Sequence, residues 1–399
     1  MIKTFINKNW NYFISGSAIL FGLFVLIPFK FKPYLAVLVF ILSGLSFFYN
    51  NNNNNKFHFK RGLLISILFV IAFLSLLYTN NLNEGWKIIG RMIPLLLPMA
   101  VCLLTDYDRE RFFNFFKKSF VVACSIYTVL IFIYLNQLGC FSGDSSLNYA
   151  YSYIMYEFWG INDHPIYISS YFAIALFFLL YSNVTSKTIS YILFLVIFAG
   201  LLILSRKGSI IAFLVCTTIF FLSQKMKGYW LKGILIIMFV FIGMIFIPEI
   251  KNRFFELLSV DRIVENTETS TGIRYIIWKS SIQLVENAAF FGYGIGDVQD
   301  VLNESYIAQG YKKLAVDTYN AHNQYIQIAL TAGLTGLLIF LASNIILYRQ
   351  FIKSKNSQGL LVLTFFLMVF LTESYLERQN GIIMYSFIMS MYIFKEDEK

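Results

Sequence analysis

Charge is the first thing this chain lacks. Asp, Glu, Lys and Arg make up 14% of its 399 residues, against about 25% in an ordinary soluble domain. A hydrophobic content of 58% excludes a disordered chain, which needs low hydrophobicity and high charge. It also excludes a water-soluble enzyme, because a chain of this length has too little interior for so much apolar surface. Cysteine is scarce: four residues make no disulfide scaffold, and Cys102, Cys124 and Cys216 sit inside apolar runs, where the thiol behaves as a small hydrophobe. No disulfide is expected. With three histidines and no Cys/His grouping at zinc spacing, no metal site is expected either. What remains is a polytopic membrane protein.

What the chain has is long apolar runs, with 43 Phe and 26 Tyr. Crossing the ~30 Å hydrocarbon core takes about 20 mostly apolar helical residues. That ruler predicts about twelve transmembrane helices, at 12–29, 33–49, 62–78, 88–104, 119–138, 166–182, 188–204, 208–223, 231–248, 323–348, 359–375 and 380–394. Pro94 and Pro98 interrupt the fourth, which membrane helices tolerate where neighbours satisfy the freed carbonyls. Lys3 and Lys8 precede the first apolar run as in a signal peptide. No small-residue cleavage site follows and another span comes at once, so an uncleaved anchor is expected. The net charge of +10 reads as basic residues holding loops to anionic lipid. With the one long loop set aside, Lys and Arg favour the side of both termini, which predicts cytoplasmic termini. The run Asn50 to Asn55 is a low-complexity connector on that side.

The long loop, 249–321, is then external, and its length marks it as functional. Within it, Thr271 to Asn287 carries Ile273, Ile276, Ile277, Ser280 and Leu284 at helical spacing, with Ser270 or Thr271 as the cap. The following Gly292-x-Gly294-x-Gly296 has no strand before it and reads as a turn, not a dinucleotide fingerprint. Asp297 is expected to cap a second helix to about Gln309. The two helices are expected to lie over the membrane face as a lid.

Loops separated by two spans share a side whatever the orientation. By that count Lys87, Arg91, Asp163, His164, Arg206, Lys207, Arg274, His322, Glu373, Glu377 and Arg378 gather on one side. Arg206 and Lys207 occupy the tight junction Ser205-Arg206-Lys207-Gly208. Two readings stand for them: snorkelling cations that end a helix, or a guanidinium offered to phosphate oxygens on the side that the charge rule disfavours. Arg274 is either a solvated loop arginine or a second such contact. His322 lies in Tyr319-Asn320-Ala321-His322-Asn323-Gln324-Tyr325, where flanking amides can fix its tautomer and the imidazole is the natural base near neutral pH. His164, before Pro165, reads first as structural and second as a substrate contact. Asp106-Tyr107-Asp108 looks like the Asp-x-Asp metal motif of nucleotide-sugar glycosyltransferases, but it falls on the opposite side and is expected to be a solvated loop.

In order and spacing these features resemble the bacterial O-antigen ligase and O-antigen polymerase superfamily. The matching features are Ser205-Arg206-Lys207-Gly208 after an apolar span, a long external loop with Gly272-Ile273-Arg274 and Trp278, the Gly-rich turn, and Ala321-His322-Asn323 at the next span. His164-Pro165 and the Glu373-to-Gly381 segment also look like that family. The resemblance covers roughly Asp163 to the C-terminus. It divides the chain into an N-terminal transmembrane bundle, 1–160, and an O-antigen ligase-like region, 161–399, that includes the external loop.

The resemblance implies an all-α, GT-C-like glycosyltransferase of the bacterial inner membrane that needs no metal or cofactor. Its donor would be a glycan on undecaprenyl pyrophosphate. Its acceptor would be a sugar of the lipid A core for a ligase, or a growing glycan for a polymerase. Arg206 and Arg274 would stabilise the charge left on pyrophosphate, and His322 would take the acceptor proton. Lys207, His164, Asn323, Glu377 and Arg378 would be weaker substrate contacts. The competing class is a transporter or flippase for a lipid-linked glycan. That class favours charges at the midplane and inverted repeats, and the clear spans have neither.

Overall fold

The computed structural model describes residues 2–50, 56–141, 147–182, 184–223, 270–288 and 290–394, and among them the regular structure is all helical. In chain order the helices are α1 (Ile2–Gly22), α2 (Lys32–Asn50), α3 (Lys56–Ser75), α4 (Leu82–Met92), α5 (Leu97–Val101), α6 (Asp106–Gln137), α7 (Leu147–Tyr156) and α8 (Pro165–Tyr181). They continue with α9 (Lys187–Leu204), α10 (Lys207–Ser223), α11 (Ser270–Ala288), α12 (Val298–Ala308), α13 (Lys312–Val316), α14 (Gln324–Lys353), α15 (Ser357–Val369) and α16 (Gln379–Ile393). Among the described residues, five segments are long and apolar enough to cross a membrane: Asn9–Leu26, Phe29–Phe48, Asp106–Gln137, Lys187–Leu204 and Gln324–Lys353. Pro165–Tyr181, Lys207–Phe221 and Ser357–Val369 are apolar but shorter. The expected ninth span, 231–248, and the first part of the long loop lie outside the described residues.

Contacts divide the chain into two units that alternate along it: Met1–Asn55 with Ala100–Asn252, and Lys56–Met99 with Arg253–Lys399. The first is built around α8, whose sequence is apolar on every face. A helix of that kind must be enclosed, and Pro165 through Phe178 are all buried against α6, α7, α9 and α10. Its serines return their hydroxyls to the helix: Ser169 Oγ donates to the Pro165 carbonyl at 2.8 Å and Ser170 Oγ to that of Ile166 at 3.0 Å. Alongside, α1 packs on α6 through rings, with Phe21 edge-on to Phe116 at 5.8 Å and Phe116 edge-on to Phe178 at 6.2 Å. Such pairs add about 0.5–1.5 kcal/mol each beyond their burial.

The second unit is built around α16, buried from Asn380 through Ile393. The expected fourth span is a broken one here. The amphipathic α4 buries Gly85, Ile89 and Met92, a 3₁₀ turn follows over Ile93–Leu96, and α5 is a short stub. Pro94 cannot donate to a helical ladder and its ring crowds the preceding turn. The Leu95 carbonyl is satisfied from α3 by Ser66 Oγ at 2.7 Å.

In the long loop, α11 and α12 follow the expected bounds closely. Asp297 sits at the cap position of α12, but its side chain does not cap that helix. Its carboxylate instead accepts from the backbone N–H of Asn80 at 2.7 Å and of Asn81 at 2.8 Å, tying the start of α12 to the α3–α4 corner. Two helices were not visible in the sequence: α7, and the single turn α13.

Helix α14 is interrupted at Ala332 (φ −127°, ψ 16°) and Gly333 (φ 64°, ψ −166°). The Gly-rich turn fills the interruption. Tyr293 N–H donates to the Leu330 carbonyl at 2.8 Å and Gly294 N–H to that of Thr331 at 3.0 Å. On the far side Thr335 N–H donates to the Phe290 carbonyl at 3.2 Å. A Cβ on Gly333 would meet the Phe290 backbone at 2.3 Å, and one on Gly292 would meet Gly333 N at 2.6 Å. Both positions have positive φ, so glycine is required there twice over.

Candidate active site

The second unit brings two sequence-distant groups onto one carboxylate. His322 precedes α14 and is held in a left-handed conformation, φ +43°, which costs a bulky residue of order 1–3 kcal/mol and persists only where the surroundings impose it. The surroundings are amides. His322 N–H donates to Asn320 Oδ1 at 3.1 Å, and its carbonyl accepts from Trp278 Nε1 at 3.4 Å. Next to it, Asn323 caps α14, its Oδ1 accepting from the N–H of Tyr325 at 2.9 Å and Ile326 at 3.1 Å. Asn323 Nδ2 donates to the Leu371 carbonyl at 3.0 Å, and its N–H to Ser374 Oγ at 3.2 Å. Gln324 Oε1 takes the Leu376 N–H at 2.7 Å, and Gln327 Oε1 takes that of Ala321 at 3.1 Å. The turn that carries the histidine is thereby stitched to the α15–α16 junction.

Glu373 stands in that junction. Its Oε2 lies 3.0 Å from His322 Nδ1 and 3.5 Å from Arg274 Nη2. The carboxylate is nearly sealed, at 9% side-chain exposure, while His322 (19%) and Arg274 (27%) keep an open edge. With Nδ1–H donated to Glu373, Nε2 carries the lone pair, and it has no partner among the described residues. The tautomer is assigned from this contact. A base with a fixed ring, a carboxylate orienting it and a guanidinium sharing that carboxylate can accept a proton beside a developing anion.

Glu377, four residues on, keeps part of its surface, yet desolvation pushes its carboxyl up to about 7 against the pull of Arg91. Arg378 is exposed. Arg91 and Lys87 both lie near Glu84, at 3.5 and 3.0 Å.

The first unit holds the other candidates. Ser205 closes α9 in the left-handed region, φ +48°, with its hydroxyl donating to the Leu202 carbonyl at 2.8 Å. Arg206 follows with its guanidinium 4.9 Å over the Tyr151 ring, and Tyr151 OH donates to the Ile203 carbonyl at 3.0 Å. The unforeseen α7 therefore supplies a platform for Arg206. Lys207 opens α10. His164 caps α8, its Nδ1 accepting from Ile166 N–H at 3.3 Å. The preceding Asp163 is buried with Lys32 Nζ at 2.6 Å, and Tyr171 OH and His164 N–H also reach that carboxylate.

The expectation of a solvated Asp106-Tyr107-Asp108 loop fails at Asp108. Asp106 is exposed and pairs with Arg109, but Asp108 is buried rather than solvated, accepting from Trp10 Nε1 at 3.0 Å and Ser46 Oγ at 3.2 Å. It joins α1, α2 and α6, which no local pattern announces.

The site residue that sequence reasoning left out of its set is Glu373. It stood in the correct loop, but 51 residues separate it from His322, and nothing local marks it over Glu377.

Among the described residues the chain combines long apolar helices with a His–carboxylate–Arg cluster at helix ends. Residues 170–341, a little under half of the chain, match the family model described as O-antigen ligase, which places this region in the O-antigen ligase/polymerase superfamily. Outside and within that region the chain has helices long and apolar enough to cross a membrane. The matched region contains Arg206, Arg274 and His322 and ends before Glu373. An uncharacterized protein of Haemophilus influenzae is 24% identical over 138 residues, which are 32% of this chain and 35% of that protein. The match thus spans about a third of that relative's length.

Proposed function

We propose that this protein transfers a glycan from undecaprenyl pyrophosphate to an acceptor sugar at the external face of the bacterial inner membrane, as an O-antigen ligase or a surface-polysaccharide polymerase. The observation that carries this reading is the contact of His322 Nδ1 with Glu373, on the carboxylate that Arg274 also meets. Nε2 accepts the proton of the acceptor hydroxyl. The hydroxyl oxygen attacks the anomeric carbon as the bond to pyrophosphate breaks, and the bonding pair leaves on pyrophosphate. Arg274 offers its other N–H groups to that charge. Arg206, braced by Tyr151 in its own unit, is proposed as a further pyrophosphate contact. Cationic side chains of this kind take the part a divalent ion plays elsewhere, so the transfer is proposed to need no metal.

Among the weaker substrate contacts, Arg378 is the most accessible, with Lys207 and Glu377 beside it in the proposal. Asn323 and His164 use their polar atoms as helix caps, so their contribution is to hold the turns in place. About twelve spans, cytoplasmic termini and an external lid complete the reading. The partners are the lipid-linked donor, a lipid A-core or growing-glycan acceptor, and membrane lipid.

The test is transfer by the purified chain in vesicles from an undecaprenyl-pyrophosphate glycan, with and without a strong chelator. Product that survives chelation and is lost in His322→Ala supports the reading. Loss on chelation with recovery in Mg²⁺ would replace it by a metal-dependent mechanism. A deletion strain separates the two forms: unligated long chains mean ligase, single capped repeats mean polymerase.

A further inference from the structure

Helix α14 is longer than a membrane requires. Thirty residues extend about 45 Å, and the hydrocarbon core is ~30 Å. Arg349, near the C-terminal end, belongs at one interface. Twenty residues back from it, the opposite interface falls at about Ala329, so the interruption at Ala332 and Gly333 lies roughly 5 Å inside the apolar layer. The Gly-rich turn is tied into that interruption by backbone hydrogen bonds on both sides. A broken helix at such a depth is tolerated because the turn satisfies the freed groups.

The turn carries two large apolar side chains that the protein leaves uncovered: Phe290 is 64% exposed and Phe291 67%. They neighbour the interruption, and Leu334 and Leu338 on the span just beyond it are exposed as well. The surface of Phe290 and Phe291 is therefore continuous with the lipid-facing surface of a transmembrane helix. Helix α11 descends to it: Arg274, on its first turns, is level with His322 and Glu373, and its last turn, at Ala288, leads into the interruption ten residues further down α14.

We propose that the hairpin of α11 and α12 is a membrane anchor, with Phe290 and Phe291 inserted among the acyl chains of the leaflet that the N-terminal part of α14 meets. The lid does not simply rest over the membrane face. Its tip is sunk in the lipid, and Arg274 stands a helix length above it. The anchor is independent of the reaction. Its consequence, that the His322–Glu373–Arg274 cluster is held at the lipid surface, rests on the proposed function.

The experiment measures depth. In a chain whose Cys102, Cys124, Cys140 and Cys216 are changed to Ala, single variants Phe290→Cys, Phe291→Cys, Leu338→Cys and Lys313→Cys are spin-labelled and reconstituted in phosphatidylcholine–phosphatidylglycerol vesicles. Labels at 290 and 291 are expected to relax faster with oxygen than with a soluble nickel chelate, as at 338. The label at 313, an exposed position of α13, is expected to do the reverse. Nickel-dominated relaxation at both 290 and 291 would overturn the anchor. Should the cysteine-free chain not fold, Phe291→Trp in the unaltered background is reconstituted with brominated lipid. Added quenching over the parent supports insertion, and no added quenching overturns it. Neither readout involves transfer, so an inactive enzyme with lipid-exposed labels would sink the functional reading and leave the anchor standing.

Discussion

In the first unit Lys32 and Asp163 are sealed together 2.6 Å apart, with a tyrosine hydroxyl and a backbone N–H completing the carboxylate. In the second, Arg274, Glu373 and His322 meet at 3.0 and 3.5 Å with an edge open. Both are charge clusters at the ends of apolar helices, and each stands beside the start of a wholly enclosed helix, α8 or α16. They differ in what they leave open. The first cluster is closed, and its charges have no direction left in which to act on a substrate. The second keeps an accessible edge on its histidine and arginine while its carboxylate is nearly sealed. A buried pair that is complete is a device of the fold, and a half-open one is a candidate for chemistry.

The sharpest way to break this contrast is to remove the imidazole. His322→Ala should lower transfer by about 10²–10⁴-fold, the span of general-base catalysis, while donor binding and membrane insertion stay near the parent's. Product and donor binding, measured at equal protein levels in membranes, decide it. Normal transfer would remove the base assignment and leave Glu373 as another closed partner.

The closed cluster should respond in stability and not in chemistry. Asp163→Ala strands a buried lysine, and breaking such a pair costs about 3–5 kcal/mol. Thermal unfolding in detergent should show a large loss, and the double variant Lys32→Met, Asp163→Leu should recover most of it. An Asp163→Ala chain that unfolds with the parent would show that water reaches the pair and that the two clusters are not distinct in kind.

How much of this was legible beforehand follows from what each feature depends on. Helix α11 was readable because Ile273, Ile276 and Ile277 repeat at helical spacing, and that period survives whatever the helix packs on. Arg274 and His322 were placed on one side by counting spans, which is also local. The pairing of His322 with Glu373 spans 51 residues and depends on how two junctions fold together. Asp108 looked like a loop charge, since sequence records a charge but not its distant partner. The interruption of α14 left only Gly333 as a trace inside an apolar run, and its complement, Gly292, was seen as part of an ordinary turn.

Within the open cluster, the arginine offers a finer test. Arg274→Lys keeps the charge beside Glu373 but loses the planar fork. Transfer should fall about 10–1,000-fold, corresponding to roughly 1.4–4 kcal/mol, with His322 still oriented by its carboxylate. Arg206→Lys in the same assay should fall within that range if Arg206 meets pyrophosphate. Unchanged donor binding in Arg206→Ala, Arg274→Ala would return both to snorkelling and loop arginines.

The smallest expected effect concerns Glu377, which lies between the closed and open extremes. Burial raises its carboxyl to about 7 from an ordinary 4.5, with Arg91 pulling it down. A raised folded-state value means that the folded chain holds this proton where the unfolded chain has released it. Stability from this group is therefore greatest below about pH 4.5 and declines as pH rises through 7, after which it levels. The difference across that window is about 1–3 kcal/mol, since the group retains some surface. Glu377→Gln cannot ionise, so its contribution should be flat. Thermal unfolding of parent and variant from pH 5 to pH 8 should show the variant gaining on the parent as pH rises. Arg91→Gln, by removing the cation that favours the carboxylate, should carry the parent's decline to higher pH. Parallel pH profiles for parent and Glu377→Gln would mean that Glu377 is solvated, and it would then belong with the exposed Arg378 as a surface group of the same junction.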